Sequence, residues 1–350
     1  YEIIKCDWSS DVCSSDLMKA VLSKVTGGPE TLVFEDFPAP EIRPGCAIIQ
    51  VKAVGINFPD VLMIEDKYQN KPPRPFAPGG ELSGIVKEIG EGVTNVKVGD
   101  RVLAQLGSGG LVEEALAPAG RLTKIPDAMP FDEAAAFILT YGTSYHALKD
   151  RGHLKAGETL LVLGAAGGVG LSAVELGKAM GARVIAACST QEKVDLAIKH
   201  GADAGIVYGR GPFDRDGQRA LGQLFKEACG ENGADVIYDA VGGDYAEPAL
   251  RSIAWEGRYL VIGFAAGDIP KIPLNLALLK GCDIVGVFWG TWTAKNPDLF
   301  QQEIQELLDL YAAGKIKPYV SESFPFEKGA DAIAHLGSRK AMGKVVVTID

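Results

Sequence analysis

The chain has 350 residues, of which 47% are hydrophobic, and a formal net charge of −10. This length allows two domains with sizeable cores, and the acidic balance argues against binding nucleic acid or an anionic membrane through bulk electrostatics. No apolar run approaches the length of a membrane span. Six cysteines occur without a C-x-x-C pair, so we expect buried free thiols in a reducing, cytoplasmic compartment rather than a disulfide framework.

Residues 1–17 differ in character from the rest of the chain. They repeat Ser-Ser-Asp and are rich in acids, and they lack both the apolar stretch of a signal peptide and the arginines of a transit peptide. We expect a non-native, disordered tail, with the functional chain beginning at Met18.

The first half of the chain is β-rich. Short apolar runs separated by glycine turns predict strands at Lys19–Lys24, Leu32–Asp36, Ala47–Val54, Leu82–Ile89 and Arg101–Ala104. Many short strands with glycine turns favour a partly closed barrel. A helical pattern from Phe131 to about Asp150 follows, and we place a first domain at residues 18–139.

The second half alternates strands with helices. Strands are predicted at 160–163, 183–188, 205–208, 234–238, 258–263 and 283–288. This alternation predicts an α/β fold with a doubly wound parallel sheet, placed at residues 140–290. The last segment, 291–350, contains a helix at Pro297–Ala313, a strand at Ile316–Phe326, a helix near 327–336 and a strand at Lys344–Ile349, and we expect it to return to the first domain.

A glycine-rich turn follows the first strand of this alternating region. Ala165–Gly170 is a variant of G-x-G-x-x-G with alanine in the first place. The glycines allow the backbone to approach a pyrophosphate, and the amides of the following helix point at its charge. The position between a strand and a helix favours a dinucleotide site over a tight turn without a ligand. The binding residues are expected to be Ala166, Gly167, Gly168 and Val169.

Six segments in the same order resemble a known family. They are Val54–Asp60, Pro78–Val86, Gly99–Val102, Leu139–Tyr145, Ala165–Gly170 and Gly343–Val346. From Met18 onward the chain resembles the zinc-free quinone oxidoreductase branch, of ζ-crystallin type, of the medium-chain dehydrogenase/reductase superfamily. The resemblance implies a GroES-like catalytic domain, an inserted Rossmann domain and an active cleft between them.

The second strand of the Rossmann region indicates the choice of cofactor. An acid at the end of this strand would accept from the ribose 2′-hydroxyl of NAD, but the chain has no acid in Ala187–Thr190, so a 2′-phosphate can enter. The resemblance implies that Ser189, Lys193 and Tyr208 contact that phosphate, which predicts NADPH. A solvated helix lysine and a strand-end aromatic are the alternative explanation for Lys193 and Tyr208.

Zinc is not expected at the catalytic position. Alcohol dehydrogenases of this fold carry Gly-His-Glu where the chain has Gly79-Gly80-Glu81, and the cysteine of the preceding motif is replaced near Asn57. Without soft ligands at usable spacing we predict no metal site there, and Glu81 is expected to be structural. The four histidines show no metal or Ser/His/Asp pattern and are also expected to be structural.

The resemblance implies further residues beside the nicotinamide and substrate. Asn57 could donate to a carbonyl that gains charge during hydride transfer, or it could simply form a turn; Asp60 is expected to cap the following helix. Thr143 matches a threonine near the nicotinamide amide, with a helix cap as the alternative. Core packing explains Trp289 equally well. The remaining implied cofactor residues are Val241, Gly263, Phe264, Phe288, Trp289 and Lys344.

These features predict an NADPH:quinone oxidoreductase that acts on a small-molecule quinone or similar conjugated carbonyl. One alternative is a reductase of alkenals, enones or enoyl thioesters, which adds a proton after the hydride. Another is an NADPH-binding protein without catalysis, such as a crystallin-like or RNA-binding relative, although the acidic charge argues against RNA. The apolar strand 283–288 is expected to pair across a homodimer, as in the family.

Overall fold

The computed structural model describes residues 17–350. Except for Leu17, the expected foreign tail therefore lies outside the described residues. Leu17 itself is the first residue of strand β1 and pairs with Pro38, so its assignment to a disordered tail is wrong.

The first half of the chain builds a mixed sheet and a separate two-stranded ribbon. The strands are β1 (Leu17–Ser23), β2 (Leu32–Pro38), β3 (Cys46–Ile56), β4 (Glu81–Ile89), β5 (Arg101–Gln105), β6 (Glu114–Pro118) and β7 (Leu122–Lys124). The helices are α1 (Phe58–Ile64), α2 (Phe131–Ala135) and α3 (Ile138–Tyr145), and a π-helical turn (His146–Arg151) continues α3. Strand β3 is buried along most of its length because β4, β6 and a C-terminal strand all pair with it.

The second half forms a parallel sheet with helices between its strands. The strands are β8 (Thr159–Leu163), β9 (Arg183–Cys188), β10 (Ala204–Val207), β11 (Ala234–Asp239), β12 (Ile253–Val261) and β13 (Asp283–Gly286). The helices are α4 (Gly168–Ala179), α5 (Gln191–Lys199), α6 (Arg215–Cys229), α7 (Ala246–Arg251) and α8 (Asn275–Lys280). Residues 160–163 of β8 are fully buried, as expected for a central parallel strand.

The strand order of this sheet locates a binding crevice. The order is β10-β9-β8-β11-β12-β13, so the direction of winding reverses between β8 and β11. Ligands of open parallel sheets bind beyond the carboxyl ends of the strands at such a reversal. The glycine-rich turn after β8 lies there, and the predicted fold class, a β-rich domain with a Rossmann parallel-sheet domain, is confirmed.

The C-terminal segment rejoins the first sheet. It contains α9 (Trp289–Lys295), α10 (Pro297–Ala312), β14 (Val320–Pro325), α11 (Gly329–Gly337) and β15 (Lys344–Thr348). Strand β15 pairs antiparallel with β3, with Val345 opposite Ile56, while α10 packs against α3. The chain therefore closes beside the point where β3 ends.

Several predicted strands differ from the structure at their ends. The strand predicted at Ile316–Phe326, for example, is the shorter β14 (Val320–Pro325). The strand predicted at 258–263 begins earlier, at Ile253, and ends at Val261, so Gly263 and Phe264 lie in the following turn. The strand predicted at 283–288 ends at Gly286, and Trp289 opens helix α9 instead. Within residues 17–350, no helix has both the length and the apolar character needed to cross a membrane.

Candidate active site

The glycine-rich turn is tightly packed against its own strand. Helix α4 begins at Gly168, directly after the turn that follows β8. A Cβ on Gly170 would lie 2.1 Å from the carbonyl oxygen of Gly164, so only glycine fits this position. The close packing brings the first turn of α4 over the carboxyl end of β8, and its N-terminal amides can receive a pyrophosphate there.

The closing strand holds this turn from the other side. Gly343 N donates to Ala166 O at 2.7 Å, and Gly167 and Gly343 form a parallel bridge. A Cβ on Gly168 would lie 3.0 Å from Cδ of Lys344. The sequence-predicted residues Ala166, Gly167, Gly168 and Lys344 are therefore brought together, although Lys344 comes from the far end of the chain.

The Lys344 ammonium is buried and fully paired. Its Nζ donates to Glu81 Oε1 at 2.6 Å, to Asn57 Oδ1 at 2.7 Å and to Ile56 O at 3.1 Å. The side chain of Lys344 is 5% exposed and that of Glu81 is fully buried. Three acceptors satisfy the three protons of an ammonium, so the charged end of Lys344 anchors β15 to the end of β3 and to Glu81, and only its alkyl stem lies beside the glycine-rich turn.

Asn57 is held in one orientation by this pairing. Because Lys344 can only donate, the Asn57 atom facing it must be the oxygen, and Nδ2 then donates to Glu81 Oε1 at 2.8 Å and to Gly55 O at 3.2 Å. Both amide protons are used inside the protein. In this arrangement Asn57 has no free proton for a substrate carbonyl, so the expectation that it donates there does not fit the geometry.

Glu81 links the ion pair to the helix that carries Thr143. Its second oxygen, Oε2, accepts from Leu139 N at 2.9 Å, at the start of α3. This buried, paired position agrees with the expectation that Glu81 is structural. Thr143 lies within α3 and is half-buried, so it does not cap a helix.

Asn57 is the N-cap residue of helix α1, and Asp60, at the third position of the helix, completes a capping box with it. The Asp60 carboxylate accepts from Asn57 N at 2.8 Å and from Gly79 N at 2.9 Å. Burial raises the pKa of Asp60 to about 6, although the two backbone hydrogen bonds and Lys344 oppose that rise. Asp60 therefore fixes the turn around Asn57.

The end of the second parallel strand is lined by polar and cationic groups. Ser189 follows β9, and Lys193 lies in the first turn of α5, where its backbone N–H donates to the Thr190 hydroxyl. Tyr208 follows β10 directly and contacts the Tyr245 ring at 4.7 Å. Burial raises the pKa of Tyr208, which keeps its hydroxyl protonated and able to donate.

Sequence reasoning missed two arginines beside Lys193. Lys193 Nζ donates to Arg339 O at 3.3 Å, and Arg339 Nη1 donates to Ala266 O at 3.1 Å. Burial, followed by the nearby charge of Arg210, lowers the pKa of Lys193. Lys193 and Arg210 therefore place two positive charges near the end of β9, with Glu192 as an acidic neighbour, whereas Arg339 contacts Lys193 through its backbone carbonyl. The basic run Ser338-Arg339-Lys340 is visible in the sequence, but it lies too far along the chain from Lys193 for its contact to be predicted.

The turn after β11 is shaped by a buried carboxylate. Asp239 Oδ1 accepts from Val241 N at 2.8 Å and from Gly242 N at 2.9 Å, and Tyr259 donates to Oδ2. Burial raises the pKa of Asp239. A Cβ on Gly242 would lie 2.8 Å from the Phe264 ring. The predicted residues Val241 and Phe264 are thus close to each other at the carboxyl ends of β11 and β12.

Phe288 and Trp289 have different environments. Phe288 is 53% exposed, whereas Trp289 is 4% exposed. A Cβ on Gly142 would lie 2.4 Å from Cζ2 of Trp289, and Phe300 makes an edge-to-face contact with the Trp289 ring. The explanation of Trp289 by core packing therefore fits the structure. Phe288 is the one of the two whose ring remains available to a ligand.

Comparison with known proteins places the chain among oxidoreductases. A model described as an alcohol dehydrogenase GroES-like domain matches residues 43–127, and one described as a zinc-binding dehydrogenase matches residues 168–313. The chain is 40% identical to a quinone oxidoreductase-like protein 2 homolog of Nematostella vectensis, over 94% of this chain and 88% of the relative. It is 38% identical to quinone oxidoreductase-like protein 2 of Bos taurus, over 91% of this chain and 89% of that protein.

Solved structures agree with these relatives. A mycobacterial protein complexed with NADPH superimposes with a TM-score of 0.87 at 30% identity, covering 95% of this chain and 100% of that one. Escherichia coli quinone oxidoreductase complexed with NADPH gives a TM-score of 0.86 at 29% identity, again covering 95% of this chain and 100% of that one.

The buried ion pair makes a prediction about stability. Replacing Lys344→Met leaves the Glu81 carboxylate buried without its cation, and we expect a loss of about 3–5 kcal/mol in the free energy of unfolding. Lys344→Met combined with Glu81→Gln removes both charges and should recover much of that loss. Urea unfolding of the three proteins measures the effect.

A surface pair provides the control for this prediction. Lys87 pairs with Glu114 and is 54% exposed, so Lys87→Met should change stability little. If Lys344→Met were no less stable than the double variant, the unpaired Glu81 carboxylate would not be destabilising, which would contradict the prediction.

Proposed function

Because the chain belongs to the quinone oxidoreductase branch of the medium-chain dehydrogenase/reductase superfamily, we propose that it is a zinc-independent NADPH:quinone oxidoreductase. The catalytic domain would comprise residues 18–139 and 291–350, and the NADPH-binding domain residues 140–290. The observation that carries the proposal is the cationic, acid-free end of β9 beside the glycine-rich turn. Thr143 and the Asn57 anchor lie on the side expected to receive the nicotinamide.

The cofactor preference follows from charge. Lys193 and Arg210 place two positive charges beyond β9, where an NAD site would need a carboxylate. A charge-assisted hydrogen bond to a 2′-phosphate contributes about 1.5–3 kcal/mol, which corresponds to roughly 10- to 100-fold in affinity. The protonated Tyr208 and the hydroxyl of Ser189 can add neutral hydrogen bonds. NADPH is therefore preferred over NADH.

The chemistry near Glu81 supports independence from zinc. A catalytic zinc needs imidazole, thiolate or carboxylate ligands and an open position. Here the carboxylate of Glu81 already pairs with Lys344, and Gly80 offers no side-chain ligand. The Lys344 ammonium already compensates the charge of the buried Glu81 carboxylate. A metal ion therefore has no role at this position.

The proposed substrate is matched to a site without a catalytic carboxylate pair. When bound, NADPH supplies a hydride to the acceptor. A quinone needs no dedicated general acid, because its reduced oxygens are stabilised anions that water can protonate. The residues of the chain then have the tasks of binding and orientation: the glycine-rich turn holds the pyrophosphate, and Phe288 presents an exposed ring for stacking.

An acceptor panel tests the proposed reaction. We expect steady-state oxidation of NADPH with 9,10-phenanthrenequinone and little oxidation with a simple enone. Turnover of the enone alone would replace the proposal with alkene reduction. Tight NADPH binding without turnover of any acceptor would favour a binding protein instead.

The role of Lys193 makes a prediction about cofactor choice. Lys193→Met should weaken NADPH binding roughly 10- to 100-fold while leaving NADH binding nearly unchanged, measured by nicotinamide fluorescence titration. Lys199→Met is the matched control because Lys199 is an exposed lysine at the other end of α5. An equal loss for both cofactors would contradict a specific contact with the 2′-phosphate.

We also propose that the chain forms a homodimer through the β13 edge of the parallel sheet. Strand β13 has a neighbour on one side only, and an unpaired edge is a template for pairing. Exposed apolar side chains lie on β13 and on the segment just before it in the chain: Leu274, Leu278 and Leu279 are 76%, 81% and 67% exposed, and Ile284 on β13 is 40% exposed. Such a patch is typical of an interface.

A charge placed in this patch tests the dimer. Leu278→Asp should convert a particle of twice the chain mass into a monomer in light scattering, whereas Ile198→Asp, at an exposed position on α5, should leave the mass unchanged. A wild-type monomer at micromolar concentration would rule the dimer out.

We propose a cytoplasmic location on the basis of the thiols. Cys188, Cys229 and Cys282 are buried and Cys46 is half-buried, and all four are free. Thiols persist in this form in a reducing compartment.

A further inference from the structure

A second cluster of ionisable groups lies outside the proposed hydride-transfer site. His146 and Asp150 lie on the π-helical turn that continues α3, and Glu303 lies on α10, which packs against it. One ligand atom from each of the three residues lies within 4.8 Å of the others. His146 Nδ1 is 2.7 Å from Asp150 Oδ2. Short π-helical turns of this kind are rare and are frequent at functional sites.

No local sequence pattern indicates this grouping. The histidines were expected to lack any metal pattern, but the fold gives His146 two carboxylate neighbours. Asp150 is four residues from His146, whereas Glu303 comes from a helix more than 150 residues later. Only the packing of α10 on α3 brings it there.

Glu303 is the unexplained member of the cluster. It is 5% exposed, and its Oε2 has no hydrogen-bond partner among residues 17–350. Burial raises the pKa of Glu303 to about 9, and a hydrogen bond between its carboxyl group and that of Asp150 contributes to this rise. The ammonium of Lys149 hydrogen-bonds with Glu306 instead. An unpaired oxygen on a buried carboxyl group is costly, and a cation that displaces the proton shared with Asp150 would supply its missing partner.

The donor set selects the kind of cation that could supply this partner. One imidazole nitrogen with two carboxylate oxygens suits zinc and other divalent first-row transition metals, whereas Mg²⁺ and Ca²⁺ prefer oxygen alone. Tetrahedral ligands at about 2.0–2.2 Å from zinc lie about 3.4 Å apart, which small side-chain shifts would reach here. A cavity of about 260 Å³, lined in part by Asp150, Trp292 and Glu303, adjoins the cluster and has room for a water as fourth ligand.

We propose that His146, Asp150 and Glu303 bind one divalent transition-metal cation, with Zn²⁺ as the best match. Its role is to brace three helices rather than to take part in hydride transfer. It ties the end of α3 to α10, and the His146 ring stacks on Trp292 of α9 at 4.2 Å. Helix α9 begins with Trp289, which packs on Gly142 beside Thr143. The cation would thereby fix the wall next to the proposed nicotinamide pocket.

Metal titration of the full chain tests this site independently of any activity. After treatment with a chelator and its removal, the wild-type chain is titrated with Zn²⁺ by calorimetry and with Co²⁺ by absorption. We expect one high-affinity site per chain, with a Co²⁺ ligand-field spectrum and no thiolate charge-transfer band. Bound Zn²⁺ should also raise the melting temperature of the protein, because it binds only the folded chain.

Two variants of α10 separate this site from other metal-binding groups. Glu303→Gln and Glu306→Gln each replace a carboxyl group of the same helix by an amide, but only Glu303 belongs to the cluster. Glu303→Gln should weaken the affinity at least about tenfold and abolish the shift in melting temperature, whereas Glu306→Gln should retain both. If the Glu303→Gln protein folds poorly, Asp150→Asn provides a second ligand variant. It should show the same loss of affinity and of the shift in melting temperature.

The opposite results would overturn the proposal. These are the absence of stoichiometric binding to the wild-type chain, a thiolate charge-transfer band with Co²⁺, or equal affinities of the Glu303→Gln and Glu306→Gln proteins.

Discussion

The buried ammonium of Lys344 is the constraint on which the site depends. It donates to Glu81, to Asn57 and to the end of β3, while its stem lies against Gly168 at the start of α4. A charge this deeply buried is tolerable only when all its protons are paired, and loss of one partner is strongly destabilising. The hydrogen bond from Gly343 N to Ala166 O, directly before Lys344, holds the strand that closes the first sheet beside the glycine-rich turn of the second.

The consequences of this anchor extend through the cleft. Glu81 also accepts a hydrogen bond from Leu139 N at the start of α3. This bond positions the helix that contains Thr143. Asp60 holds the turn around Asn57 by accepting from two backbone amides. The nicotinamide side of the proposed cleft is thus built from groups that are already paired, which favours hydride transfer by orientation rather than by proton donation.

The other end of the proposed cofactor site is organised differently. Lys193 and Arg210 are close enough for the charge of Arg210 to lower the pKa of Lys193, so a bound anion would relieve part of their repulsion. Unlike the paired Lys344, these cations retain capacity for a ligand. This contrast separates an anchoring lysine from a lysine that we propose selects the cofactor.

Local patterns predicted the elements of the fold well because they depend on neighbouring residues. The fully buried run in β8 and the turn after it could be read from the sequence, and the alternation of strands and helices predicted the parallel sheet. The strand after Cys282 was predicted too long, since its apolar residues continue into Phe288 and Trp289 while the backbone turns into α9. Hydrophobicity alone does not distinguish these two conformations.

The arrangement of the site was less predictable because it depends on long-range packing. Lys344 could be assigned to the cofactor region by resemblance, but its pairing with Asn57, 287 residues earlier, has no local signal. The same holds for Arg339 beside Lys193 and for Glu303 beside His146. Trp289 was equally compatible with a core and a cleft, and only its packing on Gly142 distinguished the two.

The most direct test of the anchor is the single-turnover rate of NADPH oxidation by a quinone, measured by stopped flow at saturating cofactor. The comparison is between the wild-type chain and the Lys344→Met/Glu81→Gln variant, in which no unpaired charge remains. We predict a rate about 10- to 100-fold lower in the variant, because the two halves of the cleft lose their register, with a much smaller change in the dissociation constant of NADPH. An unchanged rate would show that the ion pair stabilises the fold without positioning the reactants.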